Sequence, residues 1–308
     1  MTVRFQFGPA TIDLVADRWP EDVTAGHYGP FVSNPEGPAD LTIHVHRDRA
    51  PSCGRVSPAA QLPTNWALYR CRSGYRLEIL EQVTFAPRQI VLLDRSLSRA
   101  DVYAASGAGL PGYPPGSWCL ALVMNPFVQW WLTAFLALRA RGVLLHASAA
   151  AFNGAGLAFA GPSGAGKTTT VRRCRDRAGA VVLNDERIIV WRTAEGVKVA
   201  GTPWHGELPE VAALVVPLVG LFMLTKNATN RYLPWPPPRM VAGIMSEAFL
   251  PIWSVEAMAG LLEAAEHIVR AVPSGELQLA NDRDVADYLR RFVDVGPSTP
   301  WAVAVGSP

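Results

Sequence analysis

Apolar and polar positions alternate along the first third of the chain. Residues 39–47 (ADLTIHVHR) carry apolar side chains at every second position, the period of a half-buried strand, and residues 65–80 (NWALYRCRSGYRLEIL) read as two such strands about a turn at Ser73 and Gly74. Residues 90–96 (IVLLDRS) add another, and turn formers crowd residues 29–37 and 107–117. The pattern predicts a mainly antiparallel β module over residues 1–120, a candidate for substrate recognition, closed by a Pro/Gly linker.

Beyond residue 120 the period changes. Helices are predicted over residues 127–140, 167–178 (stopped by Gly179), 255–271 (capped by Ser254) and 284–292. Between them lie short apolar strands at 143–151 and 156–160, joined by a turn at Asn153 and Gly154, and further strands at 180–183, 187–191 and 217–224. Alternating strands and helices make residues 121–308 an α/β domain. Residues 234–238 (PWPPP) read as a rigid loop.

Composition narrows the classes. The 308 residues are 49% hydrophobic and 18% charged, with a net charge of +2, which excludes a disordered chain and leaves no polybasic run for nucleic acid. Residues 120–138 are uncharged, but Asn125, Pro126, Gln129 and Thr133 interrupt them; Asn125 reads as the N-cap and Pro126 as the first turn of a buried helix, not of an integral membrane segment. The start of the chain lacks the apolar stretch and cleavage site of an export signal, and Cys53, Cys71, Cys119 and Cys174 form no CxxC, so a cytoplasmic protein with reduced thiols is expected. His44 and His46 share a strand face without an evident third ligand and read as a half-exposed pair.

The strongest chemical signal is GPSGAGKTTT at residues 161–170, between an apolar strand and a helix. Gly161, Gly164 and Gly166, with Pro162, Ser163 and Ala165 between them, let backbone N–H groups turn inward around a phosphate, and the helix beginning near Lys167 adds its positive end. Lys167 can reach the β- and γ-phosphates, Thr168 can set its hydroxyl on Mg²⁺, and Thr169 completes the nucleotide-binding run. Only three of the 28 basic residues are lysine, and Lys167 is the one whose position demands a compact ammonium on a flexible stem; Lys198 and Lys226 have no such demand. Eighteen residues on, Asp185 and Glu186 close a strand that is expected to return beside the P-loop strand. One acid can take a proton from an attacking hydroxyl while the other holds Mg²⁺. Arg172, Arg173, Arg175 and Arg177 form a basic helix face opposite a core face of Val171, Cys174 and Ala178. Trp204 and Trp235, in proline-bearing loops, are candidates to line a peptide groove.

The order His146, a short β-hairpin, GPSGAGKT, a helix, then Asn184-Asp185-Glu186-Arg187-Ile188 resembles HPr kinase/phosphorylase, a bacterial serine kinase with a fold related to phosphoenolpyruvate carboxykinase. The likeness covers about residues 142–224. It implies an ATP- and Mg²⁺-dependent transfer to a serine-type hydroxyl of a peptide or small protein, and a homo-oligomer. By the match Asp185 is the catalytic base, Glu186 the second, metal-side acid, and His146 a site residue beside Lys167 and Thr168. The family's glutamate-arginine-glycine loop has no counterpart beyond Glu207, near His205, so phosphorolysis is not implied. Two other readings stand beside the kinase: an ATPase with water as the only acceptor, and a nucleotide-gated binding or chaperone module.

Overall fold

The strand signals of the first third assemble into one sheet. The structure, a computed structural model, describes residues 1–17, 26–46, 50–52, 57–62, 66–80, 87–104, 120–280 and 285–295; the linker at 107–117, Cys53 and Cys119 lie outside them. β1 (Thr2–Phe7), β2 (Ala10–Val15), β3 (Leu41–His46), β4 (Ser57–Leu62), β5 (Trp66–Cys71), β6 (Gly74–Leu80), β7 (Pro87–Asp94) and β8 (Arg99–Ala104) lie in the order β1-β2-β3-β8-β7-β6-β5-β4. β4 to β8 form an antiparallel meander. β3, however, runs parallel to both β2 and β8, the last strand of the meander. Burial alternates along β2, as the two-residue period requires of a sheet with one packed face.

The uncharged stretch is helical but broken. α1 (Leu120–Leu122), a wide turn at Val123–Val128, α2 (Gln129–Phe135) and a second wide turn at Leu136–Ala140 follow one another. Two helices meet at Asn125, whose extended backbone (φ −138°, ψ 116°) is that of the expected N-cap, with Pro126 following it. Trp131 Nε1 donates to the Leu97 carbonyl (2.6 Å), and Trp130 stacks on Trp253, whose edge meets Trp66. Residues 120–135 therefore pack with the β module. Residues Met1–Gln6, Ala10–Phe135 and Pro251–Val255 form one compact unit, and Phe7–Pro9, Leu136–Leu250 and Glu256–Pro308 the other, so the division falls after Phe135 and not near residue 120. Among the described residues no helix is long and apolar enough to cross a membrane.

The second unit is mixed α/β. Its strands are β9 (Gly142–Leu145), β10 (Ala147–Phe152), β11 (Ala155–Ala160), β12 (Val181–Asn184), β13 (Ile188–Thr193), β14 (Gly196–Gly201), β15 (Val215–Lys226), β16 (Arg231–Pro234) and β17 (Ser274–Leu279). They run β12-β10-β11-β15-β14-β13-β9, with β17 beside β15 and β16 outside β17. Consecutive strands β9 and β10 stand far apart in this order yet are linked by His146 alone, a reach of about 8 Å, so the sheet curls back on itself.

β10 is buried along its whole length, as befits a strand covered on both faces. Alternate residues divide between two cores. Ala149, Ala151, Ala158 and Ala160 face one with α4 (Pro237–Glu247) and α5 (Val255–Ala271); Ala150, Phe152, Leu157 and Phe159 face the other with α3 (Lys167–Ala178) and α6 (Val285–Val295). α3 and α5 keep their predicted bounds. The proline-rich loop does not: Pro237 opens α4, because proline is tolerated where the first helical N–H needs no partner. Trp204, offered for a groove, is buried and packs on Phe7 (5.6 Å between centroids), and Trp235 lies against the core with Arg239 over its ring. Burial in the core of α3 pushes the Cys174 thiol up to about 12, keeping it protonated and unreactive.

Candidate functional site

β11 ends at Ala160, and the glycine-rich loop turns into α3. Gly164 and Gly166 take φ values of 79° and 107°; a β-carbon at either would meet nothing within 4 Å, so the left-handed backbone and not crowding calls for glycine. Lys167 is buried, and its Nζ donates to the carbonyls of Gly161 (2.6 Å) and Pro162 (3.4 Å). An ammonium has three donors, which leaves one beyond this tether. Gly161 and Pro162 thus hold the lysine, while residues 163–170 line a cavity of about 710 Å³. The carboxyl ends of β11, β15 and β17, which run parallel, meet this cavity through the loop, Lys226 and Leu279. Lys226, given no special place by the sequence, is among the lining residues.

The acid turn is built by Asn184. Its buried amide donates to the Thr202 carbonyl (2.8 Å), and its Oδ1 accepts the N–H groups of Glu186 (2.6 Å) and Arg187 (2.7 Å), closing an Asx-type turn at the end of β12. β12 does not lie beside the P-loop strand as expected. β10 stands between them, antiparallel to both, so β11 and β12 still point the same way and their ends still converge. The Thr168 hydroxyl donates to Asp185 Oδ2 at 3.3 Å.

Asp185 is 1% exposed and its carboxylate is well occupied: Oδ1 accepts the Gly206 N–H (2.7 Å), and Oδ2 the Leu208 N–H (3.0 Å). Gly206 has to be small. A β-carbon there would lie 3.1–3.3 Å from carboxylate oxygens of Asp185 and Glu186. Glu207 turns outward to Arg172 (3.4 Å), so the part of this segment that reaches the acids is its backbone. On the basic helix face, Arg175 pairs with Asp176 and Glu210, and Arg173 lines the cavity.

Glu186 points to histidine. His146 Nε2 lies 3.4 Å from Glu186 Oε2, and its Nδ1 lies 3.6 Å from Glu247 Oε2. The same contacts recur in the backbone: the His146 N–H donates to the Glu247 carbonyl (2.8 Å) and the Ala147 N–H to that of Glu186 (3.1 Å). Glu247, at the end of α4 and 10% exposed, was not picked out from the sequence, where it stands 101 residues from His146 in a helix without a motif. Arg187 Cζ sits 5.4 Å from the centre of the Phe249 ring. Burial lowers the Arg187 pKa, which Glu186 partly offsets. Arg187 Nε has no hydrogen-bond partner among the described residues.

The predicted site residues Lys167, Thr168, Asp185, Glu186 and His146 therefore meet at one cavity, but the two expected metal-side groups do not meet each other. Thr168 touches Asp185, and Glu186 touches His146. In the β module, the expected His44 and His46 pair has gained an acid. His46 Nε2 lies 2.7 Å from Asp101 Oδ1, although the described residues hold no group of three His, Cys, Asp or Glu arranged to bind a metal. No protein-family model matches the chain, and no curated protein matches it.

Proposed function

We propose that the chain is an ATP-dependent kinase that transfers the γ-phosphoryl group to a serine-type hydroxyl of a peptide or small protein, with an HPr-kinase-like P-loop domain. The observation that carries this reading is the meeting of Thr168 with Asp185, 3.3 Å apart, which brings the glycine loop and the acid turn to one polar cavity. A volume of about 710 Å³ lies in the range of small-molecule sites, roughly 300–1,000 Å³. Thr168 and Asp185 are the residues that fit Mg²⁺, which keeps several waters and binds through one or two carboxylates plus substrate phosphates. When bound, that ion neutralises charge on the phosphate oxygens.

The contacts favour a division of labour between the acids opposite to the one the sequence suggests. Asp185, with both oxygens held by backbone N–H groups, fixes the acid turn and faces Thr168. Glu186 is about a third exposed and lies beside a histidine, which leaves it free to accept the hydroxyl proton. His146, steadied by Glu247, is a positioning residue for Glu186. Lys167 stands ready for the charge that develops on the transferring group.

The test is incubation of the full chain with Mg²⁺, γ-labelled ATP and a pool of peptides with serine fixed at the centre. Label on peptide supports the kinase; label released only as free phosphate gives the site to an ATPase.

A further inference from the structure

A second cavity, of about 320 Å³, adjoins the first. His146, Glu186 and Arg187 line both, and Ser246, Glu247 and Phe249 belong to the second alone. The residues common to the two cavities are therefore the proposed base, the histidine that positions it and a guanidinium. Arg187 Cζ lies 5.4 Å from the centre of the Phe249 ring, and its side chain, 23% exposed, lines the cavity and brings guanidinium donors to it. The cavity corresponds to roughly ten water volumes, enough for a polar side chain and its adjoining backbone.

Resting on the kinase reading above, we infer that this second cavity is the acceptor subsite. It takes a hydroxyl-bearing residue whose neighbouring carbonyl or carboxylate oxygen accepts from Arg187. That chemistry belongs equally to a seryl residue within a peptide and to free L-serine. From this side the hydroxyl oxygen forms the new bond to the γ-phosphorus. The bond from that phosphorus to the bridging oxygen breaks, its electron pair leaves with ADP, and the hydroxyl proton passes to Glu186. Glu247 closes the far side through its two contacts with His146.

Ser246 gives a clean test, because it is exposed on α4 and a larger side chain there fills the cavity without entering the core. The full chain and its Ser246→Trp variant are assayed with Mg²⁺ and γ-labelled ATP, against the central-serine peptide pool and, separately, against L-serine. Mg·ADP affinity and thermal midpoint are measured in parallel. The expected result is a loss of transfer of about tenfold or more at low acceptor concentration, with Mg·ADP affinity within about twofold of wild type. Arg187→Met is the second variant, expected to raise the acceptor KM more than it lowers kcat. The arm that takes label names the source, peptide or free amino acid. Undiminished transfer by Ser246→Trp overturns the subsite alone. An equal loss of Mg·ADP affinity also overturns it, because the cavity then serves the nucleotide. Failure of the wild type to label either acceptor overturns the subsite together with the kinase reading.

Discussion

Among the described residues, each unit holds a histidine beside a carboxylate. His46 and Asp101 are 2.7 Å apart with side chains 35% and 24% exposed; His146 and Glu186 are 3.4 Å apart, with exposures of 36% and 32%. Judged by distance alone, the first pair is the better formed. Its surroundings, however, are a sheet face: His46 stacks on Tyr103 at 4.7 Å, and Arg99 lies 3.5 Å from the same aspartate. Around His146 stand a second carboxylate, a buried phosphate-loop lysine and two cavities. A histidine–acid contact thus acquires chemistry from what converges on it, and convergence depends on the ends of several strands meeting, not on the pair.

The sharpest way to break this contrast is at the acid itself. Glu186→Gln is expected to lower phosphoryl transfer by roughly 10²–10⁴-fold, the usual contribution of a positioned base, with nucleotide affinity and melting temperature preserved. If Asp185→Asn instead shows that pattern, the two acids exchange roles. Lys167→Ala comes next: loss of a charge-assisted donor should weaken Mg·ADP binding by about 2–3 kcal/mol, roughly 30–150-fold by titration calorimetry. Unchanged affinity would remove the loop from the site. Asp185→Asn should lower both Mg²⁺-dependent transfer and stability, since an amide is a poorer Mg²⁺ ligand and cannot accept from both the Gly206 and Leu208 N–H groups with its two ends. A cost of about 1–3 kcal/mol, or several degrees of melting temperature, is expected. Smallest is His46→Ala, where loss of a partly exposed pair should cost under about 1 kcal/mol and leave turnover untouched. A turnover defect there matching that of His146→Ala would erase the distinction between the pairs.

The parts of the site legible in the sequence are those fixed by neighbours along the chain. Glycines at 164 and 166 announce the left-handed turn that precedes α3, and Gly179, at φ 63°, ends that helix where the sequence predicts. Strands whose pairing is remote were harder. β1, β2, β14 and β17 carry no local turn signature as strong as Ser73-Gly74, and β17 earns its place by lying between β15 and β16. Asp101 is 55 residues from His46, and Glu247 reaches His146 through a helix whose start is masked by three prolines, so neither partner has a spacing to betray it. Lys226 belongs with them: its neighbour across the cavity is a loop 60 residues earlier, brought there by the parallel pairing of β11 with β15.

The one-residue link between β9 and β10 has a consequence for how this molecule matures. His146 can stand between Glu186 and Glu247 only after β9 has paired with β13 and the end of α4 has docked beside it. Contacts of such long sequence separation close late, after local helices and hairpins have formed. The proposed proton-handling group is therefore assembled by contacts of long sequence separation. A chain without these contacts holds a glycine loop but lacks a histidine seated between two carboxylates, so under the kinase reading it is expected to be inactive.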